Sequence, residues 1–177
     1  SLPNNHAANA TLLGLEKNLH VFCEKPPART LSELIPIKQH LAKTDLKLMY
    51  GFNHRFHSSV MHAKKIIESG DLGEILNLKG IYGKSKMISF NQTDWRTDRE
   101  KSGGGILLDQ GIHMLDLMNY FVGGFNDIFS IIQNTFWNFD VEDNAFVLMQ
   151  NDDGVIGQLH SSATQWRHTF NLDITLK

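Results

Sequence analysis

Apolar residues in the first part of the chain recur with two alternating periods. From residue 8 to residue 19 they recur at intervals of three and four, the spacing of one helix face, at Ala8, Leu12, Leu15 and Leu19. The apolar run HVFC, residues 20–23, then predicts a short strand. Thr30 with Glu33 forms a capping-box pattern, which predicts a second helix that ends near Ala42. The run LKLMYGF, residues 46–52, predicts a second buried strand, and this alternation of helices and strands predicts a parallel, doubly wound α/β layer.

The pattern changes after residue 54. Phe56, Val60, Ala63 and Ile67 share one face of a predicted helix that ends at Gly70, a helix C-cap. Strand-like runs follow at 74–86, 128–136, 142–150 and 155–163. The last two runs are joined by NDDG, which is typical of a hairpin turn, so we expect antiparallel sheet. The predicted fold class is therefore α/β followed by α+β.

The segment SGGGILLDQGIHMLDLMNY, residues 102–120, places three glycines before a predicted helix. Asp109, His113, Asp116 and Tyr120 lie in one narrow stripe of that helix, and most of the remaining surface is apolar. The stripe fits either the edge of a ligand cleft or a structural pair in which a buried Asp and His bond to each other. We interpret the glycines as clearance that lets a substrate approach the start of the helix.

Composition narrows the classes of partner. The chain is 41% hydrophobic, has a net charge of -2 and carries scattered Lys and Arg, which disfavours nucleic acid and membrane surfaces and favours a small ligand. No apolar run approaches the roughly 18 residues of a membrane span. The single cysteine, Cys23, allows no internal disulfide and lies in an apolar run, so we expect a small core residue and a cytoplasmic protein.

Three further groups of polar residues are candidates for a site. Lys25 follows the first predicted strand, at the edge where open α/β sheets bind ligands. Asn53, His54 and Arg55 follow the second strand, and Trp95 and Arg96 lie in the loop before the glycines, where Lys86 is a further candidate contact to the substrate. Each could bind a ligand or hold the structure together.

The motifs HVFCEKP, GFNHRF, SGDLGEI, DWR and SGGGILLDQGIHMLDLMNYFVG resemble, in this order, the Gfo/Idh/MocA oxidoreductase family over nearly the whole chain. The resemblance implies an enzyme that uses NAD or NADP to oxidise a sugar, cyclitol or nucleotide sugar. It implies the C-terminal portion of a Rossmann domain at residues 1–54. Residues 55–177 would be an α+β domain that binds substrate and whose mostly antiparallel open sheet joins a homo-oligomer.

The resemblance also implies residue roles. The catalytic residues would be Lys25, Asp109 and His113. The histidine, with an unperturbed pKa of about 6.5, would take the hydroxyl proton. Lys25 would stabilise the oxyanion, and Asp109 would bind substrate or tune the histidine. The cofactor-binding residues would be Pro3, Asn4, Glu24, Lys25, Asn53 and Arg55. The substrate-binding residues would be Trp95, Arg96, Asp109 and His113. Asp116 and Tyr120 are expected to be structural support, and we expect no metal.

In this family a strand and a GxGxxG turn bind the pyrophosphate, and both should lie before residue 1. We therefore expect a fragment of a longer enzyme, inactive alone. The alternatives are a sugar-binding or regulatory family member without redox chemistry, and a hydrolase or lyase that uses bound NAD. A remote alternative is a metal site of Asp109 and His113 with His160 or His54.

Overall fold

The computed structural model describes residues 2–86 and 95–177, so part of the loop that precedes Trp95 lies outside the described residues. The helices are α1 (Asn4–Glu16), α2 (Leu31–Leu41), α3 (Ser58–Ser69), α4 (Arg99–Ser102) and α5 (Ile112–Val122). The strands are β1 (Val21–Cys23), β2 (Leu48–Tyr50), β3 (Ile75–Gly83), β4 (Asp127–Gln133), β5 (Asn144–Gln150), β6 (Ile156–Ser162) and β7 (Thr169–Leu176). None of the helices in the described ranges is both long and apolar enough to span a membrane.

The first two strands form a small parallel sheet, as the alternating pattern predicts. β1 pairs in parallel with β2, and α1 and α2 pack over a core of Ala8, Leu15 and Ile37. The strands bury one face only, because Phe22 and Met49 on the other face are 64% and 48% exposed. The prediction of fully buried strands is therefore wrong.

The second helix starts where the sequence predicts, but its capping bonds differ. Thr30 occupies the N-cap position, yet its hydroxyl pairs with Ser32 and makes no capping bond. Glu33 instead accepts hydrogen bonds from the backbone N–H of Arg29 at 2.9 Å and from its guanidinium. The Thr30 half of the predicted capping box is therefore wrong, because the hydroxyl pairs with Ser32 instead of with the backbone.

Within residues 2–86 and 95–177, the second sheet has five strands in the order β4-β5-β6-β3-β7. β3 and β6 are parallel and the other neighbours are antiparallel, with β5 and β6 forming the predicted hairpin. Helices α3 and α5 cover one face of the sheet. There Leu78 and Leu159 pack against Met114, Leu117 and Met118. Helix α3 ends at Gly70, whose φ of 75° confirms the predicted C-cap. The α/β and α+β fold class is confirmed.

The helix predicted after the glycines is present, but its first part is π-helical rather than α-helical. Helix α4 ends at the first glycine, and a π turn, Leu107–Gly111, precedes α5. The Glu142 carboxylate accepts hydrogen bonds from the N–H groups of Gly105 at 2.8 Å and Leu107 at 3.2 Å. The Ser161 hydroxyl donates to the carbonyl before the turn at 3.1 Å. The first N–H groups of a helix have no hydrogen-bond partner within it, and the Glu142 carboxylate supplies the acceptor for two of them.

The glycines allow close approach of protein, not of substrate. A Cβ on Gly105 would lie 2.0 Å from the backbone oxygen of Glu142. A Cβ on Gly103, where φ is +82°, would lie 2.4 Å from the Cβ of Arg29. The interpretation of these glycines as clearance for substrate is therefore wrong, since the space beside them is filled by the chain itself.

We expect Gly105→Ala to destabilise the protein by about 1–3 kcal/mol or more, because the added methyl group overlaps backbone that cannot yield like a flexible side chain. Gly124→Ala is the matched control, because a Cβ there meets nothing within 4 Å. Urea unfolding of both variants measures the free energy of unfolding. Equal loss in the two variants would contradict the packing role of Gly105.

Candidate active site

Positive side chains from three parts of the fold converge on the Asp109 carboxylate. Lys25, just after β1, donates to the backbone carbonyl of Asp109, and its Nζ lies 3.5 Å from Oδ1. Lys84, just after β3, places its Nζ 3.3 Å from Oδ2. The Gln110 amide donates to Oδ2 at 3.0 Å, and the Arg96 Nε lies 3.7 Å from Oδ1. The π turn therefore presents Asp109 to both sheets.

These contacts keep Asp109 ionised. Burial alone would raise the pKa of its carboxyl group, but the ammonium groups of Lys25 and Lys84 oppose that effect. The Gln110 amide and the Arg96 guanidinium act in the same direction. The pKa of Asp109 is consequently lower than its ordinary value, and the carboxylate is a fixed negative charge at neutral pH.

His113 is held by ring stacking rather than by a hydrogen bond. Its side chain is buried, and its ring stacks on that of His54 with centroids 4.0 Å apart and planes 19° apart. The edge of Phe52 meets it at 6.2 Å. The Nδ1 atoms of His113 and His54 are both buried and have no hydrogen-bond partner within the described part of the chain. The orientation of the His113 ring therefore depends on its aromatic neighbours.

The pKa of His113 differs from the unperturbed value on which the sequence-based role rested. Burial, followed by the charges of His54 and Lys25, lowers it from 6.5 to about 4. The negative charge of Asp109 opposes this shift but does not cancel it. At neutral pH the imidazole is thus unprotonated and can accept a proton.

Arg55 and the lower part of the polar stripe form a separate ion pair. The Arg55 guanidinium binds the Asp116 carboxylate through two hydrogen bonds of 2.7 and 2.5 Å, and it lies over the Tyr120 ring at 5.0 Å. These contacts fasten the turn after β2 to α5, which fits the expected supporting role of Asp116 and Tyr120. Nothing in the geometry tests the predicted cofactor contact of Arg55, which stays a prediction.

Several of the predicted cofactor residues line one cleft. Asn4, Glu24 and Lys25 border a cavity of about 300 Å³ at the amino end of α1 and the carboxyl end of β1. Pro3 is the residue before α1, and Asn4 also donates to the carbonyl of Ser102 at 2.8 Å. Asn53 is exposed in the 3-10 turn after β2, away from this lining.

Of the two predicted substrate residues Trp95 and Arg96, the described contact to Asp109 is made by Arg96. Arg96 reaches Asp109, and Trp95 packs its ring against the Arg96 guanidinium at 4.5 Å. Lys86, the further candidate contact to the substrate, is exposed. From this end of β3, the side chain that contacts Asp109 is Lys84, two residues before Lys86.

Lys84, His54 and Tyr82 are site residues that sequence reasoning missed or left in a minor role. Lys84 directly follows β3, just as Lys25 follows β1, so the rule that ligands gather at strand ends could have found it. The sequence places His54 among the candidate residues after the second strand and as a remote metal ligand, without predicting its stacking on His113. Tyr82 lies 5.8 Å from His54 and 6.4 Å from His113 between ring centroids. Burial and the charge of Asp109 raise the pKa of Tyr82, which keeps the phenol protonated.

The remote metal alternative finds no support in residues 2–86 and 95–177, where no three His, Cys, Asp or Glu side chains are placed to hold an ion. His160 stacks on Phe146 and bonds to Asn144, so it is committed elsewhere on the sheet. His54 offers its ring face to His113, an arrangement in which their nitrogens do not converge.

The chain matches two family profiles. Residues 1–52 match the family described as "Oxidoreductase family, NAD-binding Rossmann fold". Residues 60–176 match the "GFO/IDH/MocA C-terminal domain".

Curated relatives and solved structures agree with these matches. Levoglucosan dehydrogenase from Pseudarthrobacter phenanthrenivorans is 32% identical over 131 residues, 73% of this chain and 34% of that protein. Glucose-6-phosphate 3-dehydrogenase from Bacillus subtilis is 34% identical over 119 residues, 67% of this chain and 34% of that protein. A structure of levoglucosan dehydrogenase in complex with NADH superposes with a TM-score of 0.92 at 26% identity, covering 98% of this chain and 50% of that one. The chain thus spans about half the length of that structure and a third of those relatives.

We expect His54→Phe to raise the pKa of His113 above about 4 while leaving it below 6.5. Phenylalanine keeps the ring stack but removes the positive charge that His54 can carry, whereas burial, the largest cause of the shift, remains. The pKa is read from the pH titration of the His113 ring proton by NMR. His62→Phe, an exposed site on α3, is the control and should change nothing. An unchanged His113 pKa in His54→Phe would refute the coupling between the two rings.

Proposed function

The chain belongs to the Gfo/Idh/MocA oxidoreductase family, and we propose that the full-length protein is an NAD(P)-dependent dehydrogenase of sugars, cyclitols or nucleotide sugars. The observation that carries this proposal is the proximity of three side chains: Lys25 contacts Asp109, and the charges of both act on the His113 ring. We also propose the division into a nucleotide-binding part, 1–54, and a substrate-binding part, 55–177, and a cytoplasmic location. The two relatives are named for different substrates, levoglucosan and glucose 6-phosphate, so they leave the substrate of this chain open.

The residues of the cleft suit the nicotinamide end of a dinucleotide. The cavity lies at the carboxyl end of β1, where open α/β sheets bind such cofactors, and small side chains such as Ala7 and Ala10 line one wall. Asn4, Glu24 and Lys25 are the polar groups on this lining, and we propose that they hold the cofactor there. We propose Pro3, Asn53 and Arg55 as further cofactor contacts.

Oxidation of an alcohol requires removal of a hydride and a proton. Bound NAD or NADP supplies the hydride acceptor. His113 would accept the hydroxyl proton at a ring nitrogen, since its low pKa leaves the ring neutral. The same low pKa favours loss of that proton afterwards, which restores the acceptor for the next turnover. Lys25 would donate to the substrate oxygen as negative charge develops on it.

Asp109 would act on substrate and on Lys25 together. Its backbone carbonyl and carboxylate both contact the Lys25 ammonium, which fixes that charge beside the cleft. Its remaining acceptor capacity can bind a substrate hydroxyl, with Arg96 and Trp95 beside it as further substrate contacts.

We further propose that the outer face of the five-stranded sheet joins subunits of a homo-oligomer. Phe129 and Ile131 of β4 pair in register with Leu148 and Phe146 of β5, and all four side chains are at least 44% exposed. An apolar surface of this kind on two adjacent strands is typical of a protein–protein interface.

The catalytic assignment predicts that His113→Ala lowers kcat of the full-length enzyme by about 100-fold or more, because the proton acceptor is lost. Lys25→Ala should lower kcat by about 100-fold, since the charge that stabilises the oxyanion is lost. The measurement is reduction of NAD or NADP with a panel of sugars and cyclitols.

The controls are His62→Ala and Lys38→Ala, both exposed on helices away from the cleft, and neither should change turnover. Undiminished turnover in both His113→Ala and Lys25→Ala would contradict the roles of His113 as proton acceptor and of Lys25 as the charge that stabilises the oxyanion. Absence of cofactor reduction with every compound of the panel would count against the dehydrogenase proposal itself.

A further inference from the structure

Two ammonium groups share one carboxylate at the candidate active site. Among the described residues, Asp109 is the only acid within 4 Å of either Lys25 or Lys84. The neighbouring acid on α5, Asp116, is already bound by Arg55 through two hydrogen bonds. The described side chains around this carboxylate therefore carry more positive than negative charge.

The two lysines are held to different degrees. Lys25 contacts both the backbone carbonyl and the carboxylate of Asp109. Lys84 has one described contact through its ammonium, at 3.3 Å, which is long for a hydrogen bond between charged groups. An ammonium group has three N–H donors, so Lys84 keeps donors for another partner.

Lys84 is also placed by backbone bonds that do not depend on its charge. Its N–H donates to Ser162 at 2.9 Å, and its carbonyl accepts from Gln165 at 3.0 Å. Its side chain is 23% exposed, so the ammonium loses part of its hydration without gaining a carboxylate of its own. Burying a charge in this way is costly unless an opposite charge arrives.

We propose that Lys84 binds an anionic group of the substrate, a phosphate or a carboxylate, and so selects sugar phosphates or sugar acids over neutral sugars. The inference rests on the proposed function, because it assigns a substrate group to the same site beside Asp109. An anion beside Lys84 balances the excess positive charge, whereas a neutral sugar leaves the charge unbalanced.

The test compares matched neutral and charged sugars on the full-length protein with its cofactor. Glucose is the neutral compound, glucose 6-phosphate carries the phosphate and glucuronate carries the carboxylate, so the two anionic arms separate the two sources of charge. We expect the anion that the site selects to have a KM about 10- to 100-fold lower than glucose, the range that one hydrogen bond to a charged group provides.

Substitutions at Lys84 separate charge from packing. Lys84→Met, which keeps most of the side-chain length, should raise the KM for the preferred anion by about 10- to 100-fold more than it raises the KM for glucose. Lys84→Arg keeps the charge and should restore most of the preference. Lys79→Met is the matched control, because Lys79 lies on β3, five residues before Lys84, and its side chain is exposed.

Calorimetric binding of the same three sugars separates failure of this inference from failure of the proposed function. If the protein binds the anions selectively but oxidises none of the sugars, the inference about Lys84 is supported and the proposed dehydrogenase function is contradicted. Equal affinity of wild type for neutral and anionic sugars would overturn the inference. So would a Lys84→Met variant, with wild-type circular dichroism, that weakens neutral and anionic sugars alike.

Discussion

The arrangement of the site depends on how the Asp109 carboxylate is compensated. A half-buried carboxylate is unfavourable unless donors and opposite charges surround it, and its partners come from different parts of the chain. Lys25 follows the small parallel sheet, and Lys84 follows a strand of the larger sheet. One negative charge thus links the ends of two sheets.

Asp109 can occupy that place only because the backbone before it packs closely. Gly105 lies against the backbone of Glu142, and the Glu142 carboxylate bonds to N–H groups at the start of the π turn. The π turn then leads into α5, which brings the His113 ring onto that of His54. The short segment from Gly105 to His113 therefore provides the close backbone packing, the compensated carboxylate and the stacked ring.

Local patterns predict most of the elements because helix and strand periodicity depends on neighbouring residues. The helix that ends at Gly70 and the β5–β6 hairpin are examples. The π turn was not predictable in this way, because it depends on Glu142, more than thirty residues further on. Lys84 lies beside Asp109 for a similar reason, since only the sheet topology brings the end of β3 to that helix. Strand-end position indicates Lys25, and helical spacing indicates Asp109 with His113, whereas their catalytic roles come from the resemblance of the motifs to a family.

The central claim is that hydride transfer takes place beside Lys25 and His113. A crystal structure of the full-length protein with bound nicotinamide cofactor and substrate tests it most directly. We expect the reacting carbon of the sugar about 3.5 Å from the nicotinamide ring, with its hydroxyl within hydrogen-bond distance of both Lys25 and His113. A nicotinamide ring bound away from these two side chains would contradict the claim.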